Sequence, residues 1–430
     1  MTALAIRGSV LHMLGAPGVA GAHEYFPDGV LLVADGHVVQ AGPREQVAIP
    51  AGAEIHDRTG ALIVPGFVDT HIHYPQVDIV AAFGSELLGW LERYAFPAEL
   101  RCGDPVDAAA TARFFIDELL RHGTTTALVF ATVHKVSVEA LFRAALARNM
   151  RLVTGKVLMD SHCPPELRDT PESGEADSRA LIRDWHGRGR LGYAVTPRFA
   201  VTSSPDQLSR AGAILRDHPD VLLHTHLSEN HAELARVRAQ FPGALDYVDA
   251  YDRCGLVSNR SVFAHGIHLS DRERRRLAAA GAAIAFCPTS NLFLGSGLFD
   301  VAAVLEAGMK LGLATDVGGG TSFSLLQTMN EAYKVGALKG TYLEPLRLFH
   351  LATLGGAEAL GLAPRIGNFT AGKEADFLVL DRAATPLLAR RLASCRTIEE
   401  ELFVFAMLGD DRAIAETWLA GCRAHARDRP

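Results

Sequence analysis

Leu62-Ile63-Val64-Pro65-Gly66-Phe67-Val68-Asp69-Thr70-His71-Ile72-His73 is an apolar run that closes on two histidines one residue apart. Its length and branched side chains predict a buried strand, Leu62–His73. In a strand, positions i and i+2 face the same way, so both imidazoles leave one side. Seven further apolar runs follow: Thr125–Phe130, Leu152–Met159, Leu191–Ala200, Val221–His226, Ser261–His265, Ala282–Cys287 and Lys310–Asp316. Each precedes a stretch with helical periodicity. Strands alternating with helices predict a parallel sheet, and eight such units over about 300 residues predict a closed (β/α)8 TIM-like barrel. The rival, an open doubly wound sheet, needs a glycine-rich phosphate loop after its first strand. His71–Gln76 contains no glycine.

The two ends have a different texture. Val30–Ala34 and Val38–Ala41 flank Asp35-Gly36, a hairpin signal. Ala375–Leu380 and Thr417–Ala420 are again apolar and lie near Gly372 and Gly421. We read residues 1–66 and 367–430 as one small β-sandwich domain beside a barrel over 67–366. The interval from Tyr74 to Gly123 is long for a βα connection and is expected to cover a pocket. The Pro- and Glu-rich segment His162–Ala176 has no evident role.

Among 430 residues, 48% are apolar and 21% charged, an ordinary soluble composition. The 42 basic and 49 acidic side chains give a net charge of −7, which disfavours nucleic acid or an anionic membrane as partner. The six cysteines have no CxxC spacing and suit reduced thiols in the cytoplasm. No signal-peptide core is evident. The longest uncharged run, Leu277–Phe299, contains Pro288 and makes a poor membrane span.

If Leu62–His73 is the first barrel strand, His71 and His73 face the interior near the C-terminal mouth, where barrel active sites lie. His226 closes the fifth strand, His265 the sixth and Asp316 the eighth. Each alone is as well explained as a core hydrogen-bonding residue or a helix cap. Together they put ligands or acid–base groups on four strands at one mouth. His71, His73, His226 and Asp316 suit one catalytic Zn²⁺ or Fe²⁺ with a water completing the sphere. Glu229, three residues past His226, could shuttle protons, Asp316 could both ligate the metal and take the water proton, and His265 could orient the water. The plainer reading of Glu229 is a carboxylate favoured by a helix N-terminus. A two-metal site would want a bridging lysine on the fourth strand, and Leu191–Ala200 has none. Lys156 on the third strand fits a salt bridge or a pocket role equally. His224 reads as a deeper core residue, His268 as a supporting group or cap, and Cys287 as a buried thiol.

The Pro65–His73 motif resembles the opening metal motif of the amidohydrolase superfamily, and Gly372–Asp381 is similar to its returning C-terminal strand. A finer set resembles the guanine deaminase family: His73–Gln76, Leu87–Glu99, Pro197–Phe199, His224–Asn230, Cys287–Phe299 and Thr315–Ser324. This resemblance spans about residues 20 to 420. It implies that His71, His73, His226 and Asp316 hold the metal, that Glu229 is the proton shuttle and that His265 assists the water. It implies purine contacts from Gln76, Arg198 and Phe199, which otherwise read as a loop residue, an ion-pair residue and a core residue. It also implies a homodimer that hydrolyses guanine to xanthine and ammonia. Arg198 and Phe199 are adjacent, so a regular strand could turn only one of them inward.

The nearest rival is a related aminohydrolase or chlorohydrolase acting on cytosine, an S-adenosyl thioether or a triazine. It would keep the metal set and change Gln76, Arg198 and Phe199. A non-catalytic scaffold barrel would be expected to lack some of the ligands. The unrelated zinc deaminase pattern needs P-C-x-x-C, whereas Cys287 precedes its proline.

Overall fold

The structure is a computed structural model that describes residues 3–84 and 86–427. Residues 1–2 and 428–430 of the two expected end segments lie outside the described residues. The opening stretch divides at Gly66. Glu54–Pro65 is a strand of the terminal sheet, and Phe67–His73 is the first barrel strand. The single strand expected over Leu62–His73 is therefore two. A Cβ at residue 66 would fall 2.1 Å from Thr125 Oγ1, so only bare backbone passes between the sheets here.

The barrel expected from the sequence is the architecture found. Its remaining strands are Thr124–Phe130, Arg151–Gly155, Leu191–Pro197, Leu222–Leu227, Ser261–His265, Ala283–Phe286 and Lys310–Leu313, each paired in parallel with the next. Val157–Leu158 continues the third strand past Lys156. Isolated bonds close the seam between the eighth and first strands. Thr70 Oγ1 donates to Leu313 O at 2.9 Å, Asp316 N–H to His71 O at 3.0 Å and His73 N–H to Val317 O at 2.8 Å. Helices cover the outer face, which is why the strands read as continuous apolar runs rather than alternating ones. The first long helix, Pro105–Arg121, shows the local logic. The Asp104 side chain caps its start, and Ala108, Ala112, Phe115, Ile116 and Leu119 make one buried stripe.

Close strand packing supplies a direct test. Gly155 ends the third strand, and a Cβ there would lie 1.7 Å from Ala194 O on the fourth. Gly155→Ala is expected to destabilise the fold by about 1–3 kcal/mol through overpacking. A lowered urea midpoint at constant slope would report it, and an unchanged midpoint would contradict the packing.

Both chain ends meet in one seven-stranded sheet. Its spatial order is Cys422–Ala426, Ile414–Leu419, Phe377–Leu380, Glu54–Pro65, Ala3–Met13, His23–Ala34, His37–Pro43. The Asp35-Gly36 hairpin forms as expected, with φ of 50° and 77° at the turn. The tail also carries two helices, Pro386–Leu392 and Ile398–Leu408, which its strand-like segments did not announce. Buried ion pairs tie the tail to the barrel. Glu374 accepts from Arg151 Nε at 3.0 Å and Arg190 Nε at 2.8 Å, and Asp376 pairs with Arg190. Lys156 resolves as a salt bridge, 2.5 Å from Asp169. That pair anchors the His162–Ala176 segment, whose latter part opens the helix Pro171–Trp185. Among the described residues, no helix is long and apolar enough to cross a membrane, and all six cysteines are unpaired.

Candidate active site

The C-terminal strand ends gather at one mouth, and the residues singled out in the sequence meet there. His71 and His73 project from the first strand and His226 from the fifth. Asp316 lies three residues beyond the eighth strand, not on it as expected over Lys310–Asp316. Ser228, His265 and Asp316 have φ of 49°, 71° and 50°. These left-handed turns swing the chain off the strands, at a cost of about 1–3 kcal/mol each that is characteristic of functional sites.

His71 Nε2 is 3.2 Å from His73 Nε2, which is 3.3 Å from His226 Nε2. Asp316 Oδ1 lies 3.1 Å from His71 Nε2 and 3.4 Å from His73 Nε2. His226 Nδ1–H donates to Arg198 O at 2.7 Å, so its Nε2 lone pair faces inward. His71 Nδ1 is 2.7 Å from His224 Nε2. His224, expected deeper in the core, thus steadies the His71 ring. Phe130 packs against all four imidazoles, with ring centroids 4.5 to 5.3 Å away. Burial holds His71, His73 and His226 well below the usual histidine range. Neutral nitrogens therefore converge on a buried carboxylate without protons enough to link them. That donor set fits a divalent ion. Cys287 is also close to His71, His265 and Asp316, and burial pushes its thiol up.

Glu229 stands outside this cluster. Burial pushes its carboxyl up to about 7. Its Oε2 is 3.4 Å from His265 Nε2, and its Oε1 accepts from Ser296 Oγ at 3.1 Å. Burial lowers the pKa of His265, but the Glu229 and Asp316 carboxylates outweigh it and raise the net value. His265 Nδ1 faces Asn291 Oδ1 at 2.9 Å, which aims Nε2 at Glu229 and Asp316. Glu233, on the helix that follows, accepts the Glu229 and Asn230 N–H groups at 2.8 and 3.1 Å and fixes the loop. His268 holds Ser296 O at 2.9 Å and acts behind Glu229 rather than on the cavity.

Above the cluster lies a cavity lined by His73, His226, Glu229, His265 and Asp316 together with Gln76, Arg198 and Phe199. The fourth strand ends at Pro197, so Arg198 and Phe199 both lie on the loop beyond it and both reach the cavity. The alternation rule that allows only one inward side chain does not apply there. Leu87, Trp90 and Leu91, from the segment expected to cover the pocket, form one wall. Sequence reasoning missed Glu99. It is fully buried and takes Arg198 Nη1 at 2.7 and 2.8 Å and Gln76 Nε2 at 2.9 Å. The Leu87–Glu99 motif contained it, but nothing in the sequence named its partners.

A (β/α)8 barrel with three imidazoles and a carboxylate at its mouth, beside a separate buried acid, defines a metal-dependent hydrolase. The chain belongs to the amidohydrolase family, whose pattern matches residues 62–423. It is 48% identical to guanine deaminase of Escherichia coli (strain K12) over 99% of each chain. The solved structure of E. coli guanine deaminase superposes with a TM-score of 0.96 at 46% identity over 100% of both chains. Guanine deaminase of C. acetobutylicum, solved with guanine in its active site, gives 0.90 at 27% identity, covering 98% of this chain and 100% of that one. An adenosine deaminase from Xanthomonas campestris with bound zinc, at 24% identity, shares the fold, with a TM-score of 0.86 over 99% of this chain and 94% of its own.

Proposed function

We propose that this chain is a guanine aminohydrolase, converting guanine and water to xanthine and ammonia. The observation that carries the reading is the cavity in which Arg198, Gln76 and Phe199 face the same space as Glu229 and the imidazole cluster. Full-length similarity to guanine deaminases supports it. His71, His73, His226 and Asp316 would hold one divalent ion, and nitrogen-rich donors of this kind favour Zn²⁺, with Fe²⁺ the next choice. When bound, such an ion supplies Lewis acidity and a nucleophilic water near neutral pH.

The chain's own residues do the rest. Phe199 offers an aromatic face to a flat purine, Arg198 donates to the ring carbonyl, and Gln76 both donates and accepts. Glu229 takes the proton that the attacking water loses and delivers it to a ring nitrogen. It then carries the second proton to the departing amine. A carboxyl pushed to about 7 suits both halves of that task. His265 and Asp316 orient the water at the carbon bearing the amine. Residues 67–366 form the catalytic unit in this reading, with 1–66 and 367–430 as its β scaffold. The finer assignments are a homodimer, as the family resemblance implies, and a cytoplasmic location, which six unpaired thiols support. Sedimentation and cell fractionation test them.

The experiment is a panel of guanine, adenine, 8-oxoguanine and cytosine, followed by ultraviolet absorbance and ammonia release. Guanine-selective formation of xanthine is expected. Preference for another heterocycle would keep the barrel and overturn the roles of Gln76, Arg198 and Phe199.

A further inference from the structure

Glu99 does not line the cavity, yet it organises the two polar side chains that do. Its carboxylate is fully buried on the helical turn Phe96–Arg101. It is the ion-pair partner of Arg198, which is itself buried. Both of its hydrogen bonds to Arg198 use Nη1, which leaves Nε and Nη2 free of Glu99 on a side chain that lines the cavity. The guanidinium lies over the Phe96 ring at 5.3 Å, so it is held in one plane. Glu99 also takes Nε2 of Gln76, whose Oε1 accepts the Gly318 N–H at 3.2 Å. The Gln76 amide is thereby fixed in one orientation, with one N–H and one oxygen lone pair left over.

We infer that Glu99 is the positioning residue that sets base specificity, by holding Arg198 and Gln76 so that the pocket reads a ring carbonyl rather than an amino group. The inference rests on the purine reading above. A buried guanidinium presents only donors. Opposite a carbonyl it gains a charge-assisted bond, whereas opposite an amino group donor meets donor and both go unpaired. Sites built around a specific hydrogen bond discriminate far more strongly than apolar pockets do. The selectivity lasts only while Arg198 is aimed, and the aim comes from Glu99.

The test compares hypoxanthine and adenine as competitive inhibitors of guanine turnover. They differ in the carbonyl against the amine, and neither carries the reactive 2-amino group. Wild type is expected to prefer hypoxanthine by about 100-fold. In Glu99→Gln that preference should shrink below about 10-fold. The guanine KM should rise about 10-fold or more, with kcat within about 3-fold and metal content unchanged. Glu99→Asp, which retains the charge, should recover part of the preference and serves as the reporter if Glu99→Gln does not fold. In an Arg198→Met background, Glu99→Gln should cost clearly less than it does alone, because the part of its effect that runs through Arg198 is already gone and only its hold on Gln76 remains. An undiminished preference, equal loss in kcat, or additive losses in the double variant would overturn the inference while guanine turnover by wild type still stands. A wild type inactive on guanine would remove the purine reading and this inference with it.

Discussion

Glu229→Gln is expected to lower guanine turnover by about 10³-fold while the protein keeps its full complement of metal. The amide has nearly the same shape and can still accept from Ser296 Oγ, so the cavity is retained. What it loses is the ability to take up and release a proton. In the native protein that ability is unusual, because burial pushes the carboxyl up to about 7. Glu229 is outside the cluster formed by His71, His73 and His226, so its replacement leaves those donors in place. KM should change little, since the proposed role of Glu229 lies in the transition state rather than in holding guanine. Steady-state kinetics with metal analysis on the same sample checks this. Full activity would remove Glu229 from the shuttle role.

Asp316→Ala should have the larger effect and a different signature. It removes the carboxylate that faces His71 Nε2 at 3.1 Å, His73 Nε2 at 3.4 Å and His265 Nε2 at 3.8 Å. The three remaining imidazoles lose the only negative partner in the proposed donor set. Metal content is expected to fall below about a tenth of wild type, with turnover down by about 10⁴-fold or more. Loss of metal together with loss of rate separates this variant from Glu229→Gln, which loses rate alone. A metal-replete, active Asp316→Ala protein would contradict the donor set.

The parts of this site that were legible in the sequence are those carried by strand periodicity. His71 and His73 follow directly from an i, i+2 pair on a buried strand, and His226 and His265 from their places at strand ends. Periodicity fails one residue past a strand. Asp316, Arg198 and Phe199 lie on turns, so which way they point depends on backbone angles such as the φ of 50° at Asp316. The break at Gly66 was hidden for a related reason. The apolar character of Leu62–His73 is continuous, and only the close approach of Thr125 separates the two strands. Glu99 was the least accessible. Its partner Arg198 is 99 positions away, and a Glu in a helix reads as a solvated surface residue until the fold buries it. The Glu374 and Asp376 pairs to Arg151 and Arg190 were likewise visible only as a motif, because their meaning lies in the docking of tail on barrel.

The measurement that bears most directly on the central claim is a titration of metal-free protein with Zn²⁺, followed by ammonia release from guanine. One donor set of three imidazoles and a carboxylate predicts negligible activity at the start. Activity should then rise linearly and level off at one ion per chain. Full activity without metal, or a plateau reached only at two ions per chain, would contradict the account.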